Sequence, residues 1–376
     1  MSFSVSKSGY KIHKTEDFPV LRNDLILRAA KDLPGQNTER APTWIMRQAG
    51  RYLPEFRKLR ESHSFFEICQ TPHLACEITM QPIRRYEGLL DASIIFSDIL
   101  VIPQALGLEV QMLPAQGPHF PSPLDTPDDI ARLHEHVDID KELGYVFEAI
   151  TLTRKTLDGR VPLIGFAGAP WTLFAYMVEG GGSKTFSKAK KWLFDYPQAS
   201  KDVLDRITST LVPYLVGQVR AGAQLLQVFD SWASELSHHH YVQFALPYLA
   251  RISKEVKQQC KEEGLDIPPM IVFAKNVTHT VIPLLEDTGY DVVGLDWTTS
   301  PLEVSSKTNA VQGNFDPSIL YANDAAIEEE VKIVVDEFKQ RKTGGWIANL
   351  GHGITPGVKP ESLQAFLKAV QKHTKV

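Results

Sequence analysis

At 376 residues, 43% hydrophobic and with a formal net charge of −5, the chain can build a large core and shows no bias toward nucleic acid or an anionic membrane. Cys69, Cys76 and Cys260 are its three cysteines, which give neither a disulfide framework nor metal-ligand spacing. No apolar run approaches the ~18 residues needed to cross a bilayer, so a cytoplasmic, reducing setting is expected.

Residues 1–22 are polar and mixed in charge, with no signal-peptide core, and read as a poorly ordered tail. Residues 23–376 read as a single domain, since no linker, repeat or low-complexity tract interrupts them. Asp24 to Lys31 has a helical pattern that Pro34-Gly35 should stop. Short β-rich runs then recur at Thr43–Met46, Ser93–Ser97, Val161–Phe166, Leu225–Phe229, Met270–Ala274, Val292–Leu295, Ala310–Gly313 and Trp346–Leu350. One connection, from Ile99 to about Arg160, is long. Its part from Val101 to Pro123 is dense in proline, glycine and glutamine and could hold a small hairpin or lid, and Glu142–Leu152 reads as helix.

Between the later runs the apolar residues recur at helical spacing. Val203, Ile207, Leu211, Leu215 and Val219 share one face. Tyr241, Leu249, Ile252 and Val256 repeat the pattern, as do Val331, Val335 and Phe338, then Leu363, Phe366 and Val370 behind a first-turn Pro360. Strands alternating with helices imply a parallel sheet, and eight units fit an α/β fold of the closed (β/α)₈ TIM-barrel type. An open doubly wound sheet is the alternative, but it usually carries a glycine fingerprint after its first strand, and none is present.

The stretch from Trp44 to Arg57 carries the strongest chemical signal. An apolar run gives way at once to Arg47, Gln48 and Arg51 around a small Ala49-Gly50 step. Guanidinium forks bind carboxylate or phosphate in two-point fashion, and glycine lets backbone approach a ligand, so a polyanionic small molecule is indicated. A solvated basic loop is the other reading. Polar residues follow the other runs too: Asp98, Asp230-Ser231, Lys275-Asn276, Asp296, Asn314 with Asp316, and Gly351-His352-Gly353. In a barrel these positions converge on the C-terminal mouth, where active sites lie.

Three other signals are weaker. Lys275 could form a Schiff base or simply an ion pair with a nearby aspartate. Gly180 to Thr185 lacks the spacing of a phosphate loop and reads as a flexible connection. His238, His239 and His240 are consecutive, which splays the rings around a helix start after Ser237 instead of pairing them on a metal.

Met46-Arg47-Gln48-Ala49-Gly50-Arg51-Tyr52-Leu53-Pro54-Glu55-Phe56 resembles the first signature of the uroporphyrinogen decarboxylase family, and Gly165 to Gly180 resembles the second. Phe96-Ser97-Asp98-Ile99-Leu100, Gln227 to Trp232 and Asn349 to Ile354 also fall where that family has them. The resemblance implies a carboxy-lyase that removes four acetate carboxyl groups from uroporphyrinogen to give coproporphyrinogen, with no cofactor or metal, working as a homodimer. It implies catalytic roles for Asp98 and Arg47. It also implies substrate binding through Arg47, Gln48, Ala49, Gly50, Arg51, Asp98, Tyr176, Ser231 and His352.

Decarboxylation of this kind needs an acid to protonate a pyrrole carbon, an anion for the ring cation that results, and cations for spectator carboxylates. Asp98 suits the anion, unless it only caps a helix. Arg47 and Arg51 suit the carboxylates, and Gln48 an amide contact. Tyr176, Ser231 and His352 are neutral or switchable donors, although a buried tyrosine can equally be core. His352 would add a cation if protonated. Phe66, Ile95 and Phe96 would form apolar walls or core. A barrel methyltransferase of the same superfamily and a non-catalytic tetrapyrrole carrier are the competing classes. The first needs a zinc site for which the cysteines are poorly placed.

Overall fold

The computed structural model describes residues 17–31, 38–113, 116–302, 304, 310–341 and 345–376. Strands β1 (Ser93–Ile94), β2 (Gln111–Leu113), β3 (Gly117–His119), β4 (Leu163–Gly168), β5 (Leu225–Asp230), β6 (Met270–Ala274), β7 (Val292–Gly294), β8 (Ala310–Phe315) and β9 (Trp346–Leu350) follow in chain order. Seven of them form one parallel sheet in the order β1-β4-β5-β6-β7-β8-β9, while β2 and β3 pair antiparallel as a hairpin. Helices 139–156, 197–220, 246–262, 324–339 and 360–374 connect the strands and cover the sheet.

The expected first strand, Thr43–Met46, makes a single parallel bridge, Thr43 to Ala348, and is corrected to an irregular eighth stave. It still closes the circle. Ala348 N–H donates to the Pro42 carbonyl (2.8 Å) and Asp91 N–H to the Thr43 carbonyl (2.7 Å), so it joins β9 to the approach to β1. Side chains meet three of its own donors. Thr43 N–H bonds the Asp91 carboxylate (2.8 Å), Ile45 N–H the Gln48 carboxamide (3.1 Å) and Met46 N–H the Asn349 carboxamide (2.9 Å). Buried backbone donors must find partners, and here distant side chains replace a ladder. The result is a TIM-type (β/α)₈ barrel.

Inward residues of successive strands, Ile164, Leu225, Ile271, Val292, Ala310 and Ile347, pack with Trp44. Ile26, Ala29 and Ala30 of helix 25–31 join this cluster and plug the N-terminal end. β1 is shorter than expected because the Phe96 N–H leaves the sheet for the Thr79 hydroxyl (2.9 Å), freeing residues 96–98 to bend over the barrel top. The anticipated hairpin lies at 111–119, preceded by a short helix at 101–105, and the expected helix runs from Ile139 to Thr156. The Tyr241–Val256 pattern splits into helices 238–244 and 246–262. The Gly180–Thr185 connection is tied at its start, with Gly180 closing helix 170–179 in a left-handed conformation and accepting from Phe120 N–H.

The expected tail divides. Residues 1–16 and the Pro34-Gly35 stop lie outside the described residues, but 17–22 pack on the barrel. Phe18 is buried, and Arg22 pairs with Asp158 at 3.0 Å. Among the described residues, no helix is long and apolar enough to cross a membrane.

Candidate active site

At the C-terminal mouth lies a cavity of ≈ 290 Å³ lined by Arg47, Ala49, Asp98, Ser231 and His352. Its apolar lining comes from Met46, Phe65, Ile94, Ile95, Phe96, Phe166, Phe229 and Phe273. Phe166 and Phe229 meet edge-on at 5.7 Å between centroids, and Phe229 and Phe273 at 6.3 Å. These rings come from inward positions near the ends of β4, β5 and β6. They close the barrel top into an apolar floor.

Arg47 follows the eighth stave in a left-handed turn, with φ 65°. The turn is braced from behind. Gln48 is fully buried, accepting from Ile45 N–H and donating to the Ala92 carbonyl (3.2 Å), while its own carbonyl takes the Tyr52 hydroxyl (2.8 Å). The Gln48 carboxamide therefore supports the turn and does not line the cavity. That corrects the expected amide contact. The Ile354 N–H bonds the Met46 carbonyl (2.9 Å), which ties the last loop to the same turn. Gly353 is needed there, since a Cβ would fall 2.3 Å from Arg47 Cδ. Arg47 is open to the mouth, yet enclosure still draws its pKa below the ordinary arginine value, with Arg51 adding like-charge repulsion. Arg51 is exposed beside it, and Gly50 separates the two.

Asp98 is buried at the cavity wall. Desolvation pushes its carboxyl up to about 6, partly offset by the Leu100 and Ile99 backbone amides. Its Oδ2 has no hydrogen-bond partner. It does not cap helix 101–105, whose N-cap is Leu100. A buried carboxylate oxygen with no partner is costly, and such groups concentrate where a ligand completes them. Asp230 is also pushed up to about 6 by burial, accepts the Thr172 hydroxyl at 2.7 Å on Oδ1 and has a partnerless Oδ2; it differs from Asp98 in sitting outside the cavity lining.

Of the two states open to His352, the structure favours the neutral one: burial, with Arg47 and Lys275 nearby, lowers it to about 4, so it is a neutral donor or acceptor at neutral pH. Tyr176, buried on helix 170–179, stands behind the lining with its ring 5.8 Å from Trp232. Burial raises its phenol pKa, and it interacts electrostatically with Arg47 and Asp98. Lys275 lies 6.0 Å from the Trp232 ring centroid. Of the expected strand-end groups, Asp296 and Asn314 hold loops together and Asp316 caps a 3₁₀ turn; His238 begins a helix after Ser237, as expected of its run of histidines. Ile95 and Phe96 line the cavity, whereas Phe66 takes the core alternative, and Phe65 joins the lining. The aromatic floor was not anticipated. Its only trace in the sequence is a phenylalanine near the end of three successive strands.

A family model described as uroporphyrinogen decarboxylase matches residues 21–373. The chain belongs to the uroporphyrinogen decarboxylase family. It is 57% identical over 360 residues to the uroporphyrinogen decarboxylase of Schizosaccharomyces pombe, covering 95% of this chain and 99% of that one. It is 53% identical over 364 residues to that of Homo sapiens, covering 96% and 97%. Among solved structures, a methyltransferase from Methanosarcina mazei superposes with a TM-score of 0.76 over 94% of this chain and 99% of that chain. At 18% identity it speaks for the barrel alone. Within the uroporphyrinogen decarboxylase family frame, Arg47, Ala49, Asp98, Ser231 and His352 surround one cavity. Arg51 and Tyr176 stand next to it, and Gln48 braces it.

Proposed function

We propose that this chain converts uroporphyrinogen III to coproporphyrinogen III and carbon dioxide, removing the carboxyl groups of four acetate side chains. The observation that carries the assignment of roles is the buried, unpartnered Asp98 oxygen beside an aromatic floor and an arginine turn. The substrate is a flexible ring of four pyrroles bearing eight carboxylates. Its apolar face suits the phenylalanines, and its pyrrole N–H groups suit Asp98. Its carboxylates suit the Arg47 and Arg51 forks.

Loss of carbon dioxide leaves an electron pair that needs a sink. Protonating a pyrrole carbon makes that ring a cation, the acetate C–C bond breaks toward it, a second proton on the exocyclic carbon completes the methyl group, and the first proton leaves the ring carbon to restore the pyrrole. Asp98 stabilises the cation. A unit charge at ~4 Å in an effective dielectric near 20 is worth about 4 kcal/mol. Arg47, too weak an acid to give up its own proton, holds the reacting or neighbouring carboxylate while a proton arrives from solvent. Ala49 and Gly50 let backbone approach the ring. Tyr176, Ser231 and neutral His352 offer donors to further acetate and propionate groups.

The enzyme works as a cytoplasmic homodimer in this reading, with no cofactor. A methyltransferase would need histidine and cysteine ligands at the mouth, whereas Cys69, Cys76 and Cys260 are buried and outside the lining. Incubation with uroporphyrinogen under anaerobic, reducing conditions should yield coproporphyrinogen. Binding without turnover would support a carrier instead.

A further inference from the structure

A second cavity, of ≈ 380 Å³, opens at the opposite, N-terminal end of the barrel. Its lining is mixed: Phe18, Leu27, Pro268 and Pro269 give an apolar wall, and Lys31, Arg154, Gln224 and Asp266 give a polar one. Into this lining comes Arg154 from helix 139–156. It is only 2% exposed, and its Nε and Nη1 have no hydrogen-bond partner. The guanidinium carbon lies 5.3 Å from the Phe18 ring centroid, a contact that leaves the N–H donors unmet. Among the described residues no acid is paired with it, although Asp266 shares the lining, and burial lowers its pKa. Gly222, at φ 115°, makes room for this arrangement, since a Cβ there would fall 2.6 Å from Phe18 and 3.1 Å from Arg154.

A buried guanidinium without a counter-charge is costly, and the usual remedy is an anion. Inorganic phosphate would fill only a fraction of the volume and would leave the wall of Phe18, Leu27, Pro268 and Pro269 uncovered. We propose that this cavity binds a small organic oxyanion, a carboxylate or phosphate on a short apolar body, with its head group on Arg154 and its body along Phe18, Leu27 and Pro268. The site is separate from the catalytic mouth, being lined from the other ends of β5 and β6.

The test titrates the full-length protein with hexanoate, acetate and inorganic phosphate in a buffer free of other oxyanions, by calorimetry and thermal unfolding. Hexanoate should bind saturably and raise Tm as its concentration rises, with acetate and phosphate at least several-fold weaker. The hexanoate signal should survive Arg47→Ala and vanish in Arg154→Met, which keeps the apolar stem, while Arg154→Met retains wild-type decarboxylation. Arg154→Met should also unfold at higher temperature than wild type without anion, and lose that advantage at saturating hexanoate. The wild-type titration needs no variant to fold. Absence of hexanoate binding to wild type, or a signal lost in Arg47→Ala but kept in Arg154→Met, would overturn the proposal. Phosphate binding as well as hexanoate would overturn the apolar-body part.

Discussion

Replacing Asp98 by asparagine should damage catalysis and strengthen the fold at the same time. In the unfolded chain the carboxyl ionises near 3.8, whereas burial in the folded chain holds its proton until about 6. The difference of about 2 units corresponds to roughly 3 kcal/mol against the folded state. This penalty is complete above pH 6, about half at pH 5, and absent below 3.8, where both states are protonated. Asparagine keeps the shape without the charge. Unfolding entropy of about 2.1 cal/mol/K per residue, over 376 residues, converts 3 kcal/mol into a Tm rise of ~4 °C at pH 7.5. The gain should fall to about half that at pH 5. Turnover should drop ~10²–10³-fold, as when one preorganised electrostatic group is lost. Scanning calorimetry at both pH values, paired with anaerobic turnover, reads both halves. A variant with lower Tm at pH 7.5, or a gain that persists unchanged at pH 5, would refute the desolvation argument. Near-normal turnover would remove Asp98 from the mechanism.

In the proposed mechanism Asp98 acts ionised, so kcat/KM should fall as pH drops through about 6, and this limb should survive Asp230→Asn, whose carboxyl titrates nearby but lies outside the cavity lining. Loss of the limb in Asp230→Asn would shift the anion role to that residue. Arg47→Lys keeps the charge but not the fork, and should raise KM about tenfold or more in steady-state assays with uroporphyrinogen. Unchanged kinetics would make two-point contact irrelevant. Gly353→Ala puts a methyl carbon where Arg47 Cδ passes, so its kinetic defect should resemble that of Arg47→Ala without a comparable fall in Tm. His352→Asn should leave the shape of the pH–rate profile between 6 and 8 unaltered, since His352 titrates near 4. A limb that disappears would mean the imidazole charges during turnover.

The regular strands were readable because a buried parallel strand is a short β-rich run wherever it occurs. Met270–Ala274 and Trp346–Leu350 agree with β6 and β9 at both ends. Thr43–Met46 has the same composition but not the ladder. Its donors are met by Gln48, Asp91 and Asn349, and the last two lie 48 and 303 positions from their partners. Local pattern carries no trace of that. Arg47, Ala49, Asp98, Ser231 and His352 could be gathered at one mouth because each follows a strand. Direction was harder to read. Gln48 turns inward to the backbone, and His352 is kept neutral by burial first and then by Arg47 and Lys275, which arrive from other strands. Phe166, Phe229 and Phe273 look like ordinary core from their own strands, and only the closing of the sheet makes them a floor. Choosing Phe65 over Phe66 depends on where helix 65–70 begins, which the Ser64–Glu67 capping box sets.

The central claim is that one ionised carboxylate gathers the pyrrole N–H groups of a folded macrocycle. A crystal structure with coproporphyrinogen bound tests it most directly. The claim predicts the ring centre over the Phe229 side of the cavity, pyrrole nitrogens within about 3 Å of Asp98 oxygens, and propionates on Arg47 and Arg51. A macrocycle seated elsewhere, or one whose nitrogens point away from Asp98, would contradict it.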